Sequence, residues 1–264
     1  MKKTNTFIKT IFYGGYIFLY MPLVLVILYS FNTASTAQWT GISFKWYTAL
    51  WHNADLLKAT KTSLNIAFVS ATLSVIVGTV SALISTHKRH TMLKTLIALP
   101  LVMPEMVIGL SIVIFFLELN QWGWNTNHFL MIVTAHTLLG GTYAKEMIQN
   151  QLLSIDKKIS EAAMDLGASR LQTFALVIVP LLIPSLTSSW MMAFIISFDD
   201  VILASFTSGP GMTTLPLFIF SSIKMGYTPE MNALATCIAS ITVPLIALMS
   251  YAYQKSSTTL PPSE

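Results

Sequence analysis

The chain is 264 residues long, 54% hydrophobic and only 10% charged, with a formal net charge of +4. An ordinary soluble domain is about 25% charged, and 15 basic with 11 acidic side chains cannot keep 29.2 kDa of protein wetted unless much of its surface faces lipid. The basic residues are scattered, which excludes a nucleic-acid surface, and the single Cys237, inside an apolar run, excludes a disulfide framework or a cysteine metal site.

A helix crossing about 30 Å of hydrocarbon needs about 20 mostly apolar residues. Six stretches meet this, at about 11–31, 62–86, 95–117, 128–147, 177–203 and 231–253. The first is too long for a signal peptide and has no clear small-residue cleavage site, so it is expected to stay as an anchor. The third is interrupted by Glu105, about ten residues in, or about 15 Å along a continuous helix. Between the fifth and sixth, Leu215 to Ile223 is apolar but short and follows Ser208-Gly209-Pro210-Gly211. It is expected to be a short interfacial or re-entrant element rather than a seventh span. The result is an all-α integral membrane protein with six transmembrane helices.

Orientation follows from lysine and arginine, which favour cytoplasmic loops. With the amino terminus inside, Lys2, Lys3, Lys9, Lys88, Arg89, Lys94, Lys145, Lys157, Lys158, Arg170 and Lys255 fall inside, against Lys45, Lys58, Lys61 and Lys224 outside. Both termini are thus expected in the cytoplasm. Acidic residues are spread more evenly, which leaves the outer and intramembrane part net negative and attractive to cations.

The stretch 154–176 is long and amphipathic. Ile155, Ile159, Ala162, Ala163 and Leu166 share one helical face. Ser154 or Asp156 can cap its start, Gly167 supplies a left-handed stop, and Ser169 can cap a second helix entering the membrane near Pro180. A helix lying on lipid headgroups has the same periodicity. The face is nevertheless built of alanines and aliphatics without Trp or Phe, which suits a protein groove better.

Here the chain resembles a known family. Glu161-Ala162-Ala163, three residues, Gly167, nine residues and Val177-Ile178-Val179-Pro180 is similar to the EAA motif of ABC-importer permease subunits, with Val177 and Val179 in place of Ile and Leu. Tyr20-Met21-Pro22, Ser30-Phe31-Asn32, Lys45-Trp46-Tyr47, Asp199-Asp200-Val201 and Pro229-Glu230 are similar to the PotC-type permeases of spermidine/putrescine importers. The resemblance implies a type I ABC importer permease in a bacterial inner membrane, with a cytoplasmic coupling helix. It also implies a second related permease, two ATPase subunits and an extracytoplasmic substrate-binding protein as partners. Glu161, Ala162, Ala163 and Gly167 would then dock into the ATPase. No cofactor is expected in this chain, which has no G-x-x-x-x-G-K-[ST] loop, so ATP belongs to the partner.

An ionisable group at membrane depth is a candidate functional site. A polyamine is an extended polycation, and carboxylates flanked by aromatic faces would offset its lost hydration. Glu105, Asp199 and Asp200 are the expected substrate path. Glu105 can instead pair with the partner permease, and the aspartates can be solvated or structurally paired. The five histidines read as satisfied polar residues. Pro100, Pro104, Pro180, Pro184 and Pro244 are packing kinks or hinges for alternating access. An intramembrane enzyme would need a nucleophile–base pair or a metal constellation, and none is visible in the sequence. A self-contained carrier would lack the docking segment. A permease of the same architecture with another small solute as cargo stays open.

Overall fold

A computed structural model of the chain describes residues 2–36, 38–86, 91–124, 127–226, 229–240 and 244. Among these the chain is almost wholly helical, with one isolated antiparallel bridge between Asn32 and Ile42. The helices are α1 (Lys2–Ser30), α2 (Lys45–His52), α3 (Ala54–Thr86), α4 (Thr91–Ala98), α5 (Glu105–Gln121), α6 (His128–Ser154), α7 (Lys157–Asp165), α8 (Arg170–Thr173), α9 (Val179–Asp199), α10 (Ile202–Thr207) and α11 (Leu215–Met225). Residues 229–240 are also helical, and the expected sixth span beyond them lies, apart from residue 244, outside the described residues. The chain forms two compact units, Met1–Ala54 with Ser221–Glu264, and Asp55–Phe220.

Phe7–Ser30, Ala54–Thr86 and Arg170–Asp199 are long and apolar enough to cross a membrane. They carry the expected first, second and fifth spans. The expected third span is not one helix: Thr95–Leu101 and Glu105–Gln121 are bent by 115° against each other. Proline removes a backbone donor and its ring collides with the carbonyl four residues back. The chain therefore passes through a single 3₁₀ turn, Leu99–Leu101, with Pro100 inside it, and restarts as α5 after Pro104 at ψ 134°. Glu105 is consequently the first residue of α5 and not a mid-span residue, and the depth computed along a continuous helix does not apply.

The expected fourth span, 128–147, is α6, which runs on to Ser154. Lys145, counted above among the basic residues of the cytoplasmic side, lies within this helix, 5% exposed, with its Nζ 2.6 Å from Glu146 Oε1. Helix α6 tolerates His136, Thr142 and Lys145 because the protein, not lipid, surrounds them. Expected as an interfacial element, Leu215–Met225 is an 11-residue helix, too short to span.

In the second unit, α3, α6 and α9 approach closely because small residues line their contacts. A Cβ on Gly78 would stand 2.8 Å from Ala144 Cβ and 2.9 Å from Lys145 N, and one on Gly140 would stand 2.7 Å from Ser74 Oγ. Without a hydrophobic drive between helices in lipid, such backbone proximity supplies the packing energy. Ile108, Ala135, Leu139 and Leu203 form one apolar cluster, with Ile112 and Ile196 packed against it. The cluster ties α5, α6, α9 and α10 together.

In the first unit, Phe7 to Leu25 of α1 are all exposed. The loop after α1 is organised by buried Asn32, whose Nδ2 donates to Gln38 O at 2.7 Å while its Oδ1 accepts from Thr40 N at 3.0 Å. Trp46 Nε1 donates to Asn32 O at 2.7 Å, and Ser30 Oγ lies 2.7 Å from the Tyr47 hydroxyl. The segments 30–32 and 45–47, singled out separately in the sequence, are thus one hydrogen-bonded structure.

Candidate functional site

The break between α9 and α10 and the break before α5 fall at the same place. Glu105 from the start of α5 and Asp199 and Asp200 from the end of α9 line one cleft of about 400 Å³, together with Ile195, Ile196, Val201 and Ile202. The three carboxylates proposed from the sequence are therefore gathered, although Glu105 lies 94 positions before Asp199 in the chain. The aromatic faces expected beside them are not part of the cleft. Trp190, Phe194 and Phe198 stack along a different stripe of α9, with ring centroids 5.3 and 5.9 Å apart, and the cleft wall is aliphatic.

The carboxylates differ in their surroundings. Glu105 is half-buried and Asp199 exposed, and neither carboxylate has a partner among the described residues. Asp200 is engaged. Its Oδ2 accepts from Ala204 N at 2.8 Å and its Oδ1 from Leu203 N at 3.3 Å, satisfying the first turn of α10. His136 Nε2 stands 3.2 Å from Oδ2, within ion-pair reach but off the ring's N–H direction. The structurally paired alternative weighed for the aspartates thus describes Asp200 and not Asp199.

Behind Asp200 runs a buried polar chain. His136 Nδ1 lies 2.6 Å from Ser197 Oγ, and Ser70 Oγ donates to Ser197 Oγ at 2.9 Å. Serine, histidine and aspartate are hence brought together from α6 and α9, where the sequence alone showed no nucleophile–base pair. Their order matches a hydrolytic triad, but Ser197 is 6% exposed and its oxygen is already taken by two neighbours. A triad serine must reach a bound substrate, and this one faces the helix interior.

The second candidate site is the coupling segment. Asp156 caps α7 by accepting from Lys158 N at 3.0 Å. At its end, Ala168 N bonds to Ala163 O at 3.1 Å and Gly167 N to Met164 O at 2.9 Å. Those two bonds with Gly167 at φ +92° are a Schellman stop. Ser169 and Gln172 form a reciprocal capping box that starts α8. A π-helical turn over Phe174–Ile178 then leads into α9 just before Pro180, whose missing N–H such a widened turn accommodates. Of the expected apolar face, Ile155 belongs to the C-cap of α6 and not to α7. No residue of α7 is buried, and Leu166 beyond it is 90% exposed. Glu161 and Ala162 are exposed and Ala163 is half-buried.

The remaining described histidines each have a backbone carbonyl beside the ring. His52 Nδ1 lies 2.8 Å from Thr48 O, and His128 Nδ1 3.4 Å from Thr207 O. The His128 ring occupies the space that a Cβ on Gly209 would take. His87 and His90 lie outside the described residues.

Apolar helices around a carboxylate-lined cleft, joined to an amphipathic helix bare along its length, define a membrane-embedded transport subunit. The chain belongs to the family described as the binding-protein-dependent transport system inner membrane component, whose pattern covers residues 74–257, and it is a multi-pass inner-membrane protein. It is 39% identical over 231 residues to the putrescine transport system permease protein PotI of Escherichia coli strain K12, across 85% of this chain and 82% of that one. Against the spermidine/putrescine transport system permease protein PotC of Haemophilus influenzae the identity is 33% over 246 residues, covering 92% and 94%. Among solved structures, the bacterial alginate ABC transporter in complex with alginate pentasaccharide-bound periplasmic protein superposes with a TM-score of 0.72 at 15% identity, over 97% of this chain and 94% of that one. The last likeness establishes the fold. The resemblance read from the EAA-like segment holds, and PotI shares more identity than PotC.

Proposed function

We propose that this chain is one permease subunit of an ATP-driven polyamine importer, forming half of the path for putrescine or spermidine. The observation that carries this reading is the cleft in which Glu105 and Asp199 stand, unpartnered among the described residues, against an aliphatic wall. A polyamine alternates ammonium groups with methylene segments. Carboxylates offset the lost hydration of the first and aliphatic side chains cover the second. The cargo named for the relatives supports the same reading.

The bare coupling segment docks, on this reading, into a cytoplasmic ATPase through Glu161, Ala162, Ala163 and Gly167. ATP is bound by two copies of that partner, and this chain contributes no cofactor site. A second related permease completes the path, and an extracytoplasmic binding protein delivers the cargo. Both termini lie in the cytoplasm, in keeping with the excess of basic residues assigned to that side; moving Lys145 into α6 leaves that excess large.

The test is uptake of labelled putrescine and spermidine by cells carrying the chain with its partner subunits. Glu105→Gln is expected to lower uptake of both about tenfold without loss of complex, the order of a lost charge-assisted contact. Unchanged uptake of both removes the cleft from the path.

A further inference from the structure

The cleft holds two kinds of carboxylate, and His136 makes the difference. Among the described residues Glu105 and Asp199 are unpartnered, whereas Asp200 is 8% exposed at its side chain, bonded on one side and faced by the His136 ring on the other. Two backbone amides of α10 hold it from its own chain direction. His136 Nε2 faces it from α6 at 3.2 Å, as a close contact and not a hydrogen bond. The imidazole is itself 1% exposed and is fixed by Ser197, which is fixed in turn by Ser70 on α3. Ser70 Oγ also lies 3.3 Å from Ala67 O, and the row runs from it through Ser197 to Nδ1 of the ring, whose other nitrogen, Nε2, stands 3.2 Å from Asp200 Oδ2. A local cap on a short helix needs none of this, because a serine or asparagine caps as well. What a four-residue buried row adds is a fixed orientation for a carboxylate that also lines the cleft.

We propose that His136 is a positioning residue for the cleft: acting through Asp200, it keeps one carboxylate locked at the α9–α10 break, so that the cargo's ammonium groups are met by Glu105 and Asp199. This rests on reading the cleft as part of the cargo path. When His136 is removed, Asp200 keeps its two amides from α10 but loses the ring beside Oδ2, so that its carboxylate gains room to turn toward the cleft and compete for the ammonium groups. Transport then suffers at the translocation step rather than at assembly.

The experiment uses the complete complex in liposomes with saturating binding protein and labelled putrescine, and reads putrescine transported per ATP hydrolysed. His136→Ala is expected to lower this ratio about tenfold, and His136→Gln, which keeps a polar side chain of similar reach beside Asp200, to restore most of it. In an Asp200→Asn background, His136→Ala is expected to change the ratio less than about twofold, because a residue acting through Asp200 has nothing left to act on. The proposal is overturned if the two substitutions multiply, if His136→Gln is no better than His136→Ala, or if neither His136 variant assembles, which would make the ring a packing element. Glu105→Gln in the same assay separates the two levels: no change there removes the cleft itself, whereas a fall there with an unchanged His136→Ala ratio keeps the cleft and removes only the positioning role.

Discussion

The coupling segment and the carboxylate cleft are built on opposite principles. From Asp156 to Gln172, every structural decision is made by residues a few positions apart: a cap, a Schellman stop and a capping box. None of it requires a buried side chain in α7. The cleft draws on α5, α9 and α10, and its buried support on α3 and α6. A local design can present a bare face to another molecule, because nothing in its own chain depends on that face. A long-range design can tune individual charges, because each is reached from several helices.

The largest expected effect breaks the local half. Gly167→Pro cannot adopt φ +92° and loses the bond to Met164 O, so co-purification of the ATPase and uptake should both fall to background. Gly167→Ala, which pays only for a left-handed backbone of about 1–2 kcal/mol, should lie between that variant and the natural chain. Retention of both readouts in Gly167→Pro would mean that this segment does not couple.

Next comes the packing on which the long-range half depends. Gly78→Leu drives side-chain atoms into Ala144 and the Lys145 backbone. Overpacking of this kind costs about 1–3 kcal/mol or more, and the complex should melt several degrees lower in detergent, with reduced yield. An unchanged melting temperature would mean that α3 and α6 are not held at this distance.

Glu105→Gln sharpens the comparison from the cleft side, with uptake falling about tenfold while ATPase recovery stays the same. Loss of assembly together with uptake would turn Glu105 into a structural residue. Smallest of all, Ser169→Ala removes one cap worth about 1 kcal/mol. It should slow uptake only slightly and should raise amide exchange at Gln172, whose N–H it leaves unbonded; protection unchanged at that amide would show that the capping box contributes nothing.

Most of the coupling segment is legible in the sequence: residue type and spacing offer Ser154 or Asp156 as the cap, Gly167 as the stop and Ser169 as the next cap, and the structure uses Asp156, Gly167 and Ser169. The exception is Ile155, where periodicity continued past a helix boundary. The third span failed for a related reason. Apolar composition runs unbroken across Pro100 and Pro104, so a hydropathy reading joins what two prolines bend by 115°. Lys145 shows the converse: a charge at the end of the fourth span is read as facing the cytoplasm, whereas α6 runs on to Ser154 and buries it. His136 read as merely satisfied, because nothing near position 136 announces Ser197 or Asp200.

Composition and residue spacing were sufficient to establish a membrane protein of this family with an amphipathic, locally capped helix after α6, because the cost of burying charge and the geometry of helix ends act over a few residues or over the chain as a whole. Which carboxylate is free and which is held was decided only by folding. Partnership of a side chain depends on which helices small residues such as Gly78 and Gly140 allow to meet, and that proximity joins Ser70, His136 and Ser197, positions that lie 61 and 127 apart in the chain.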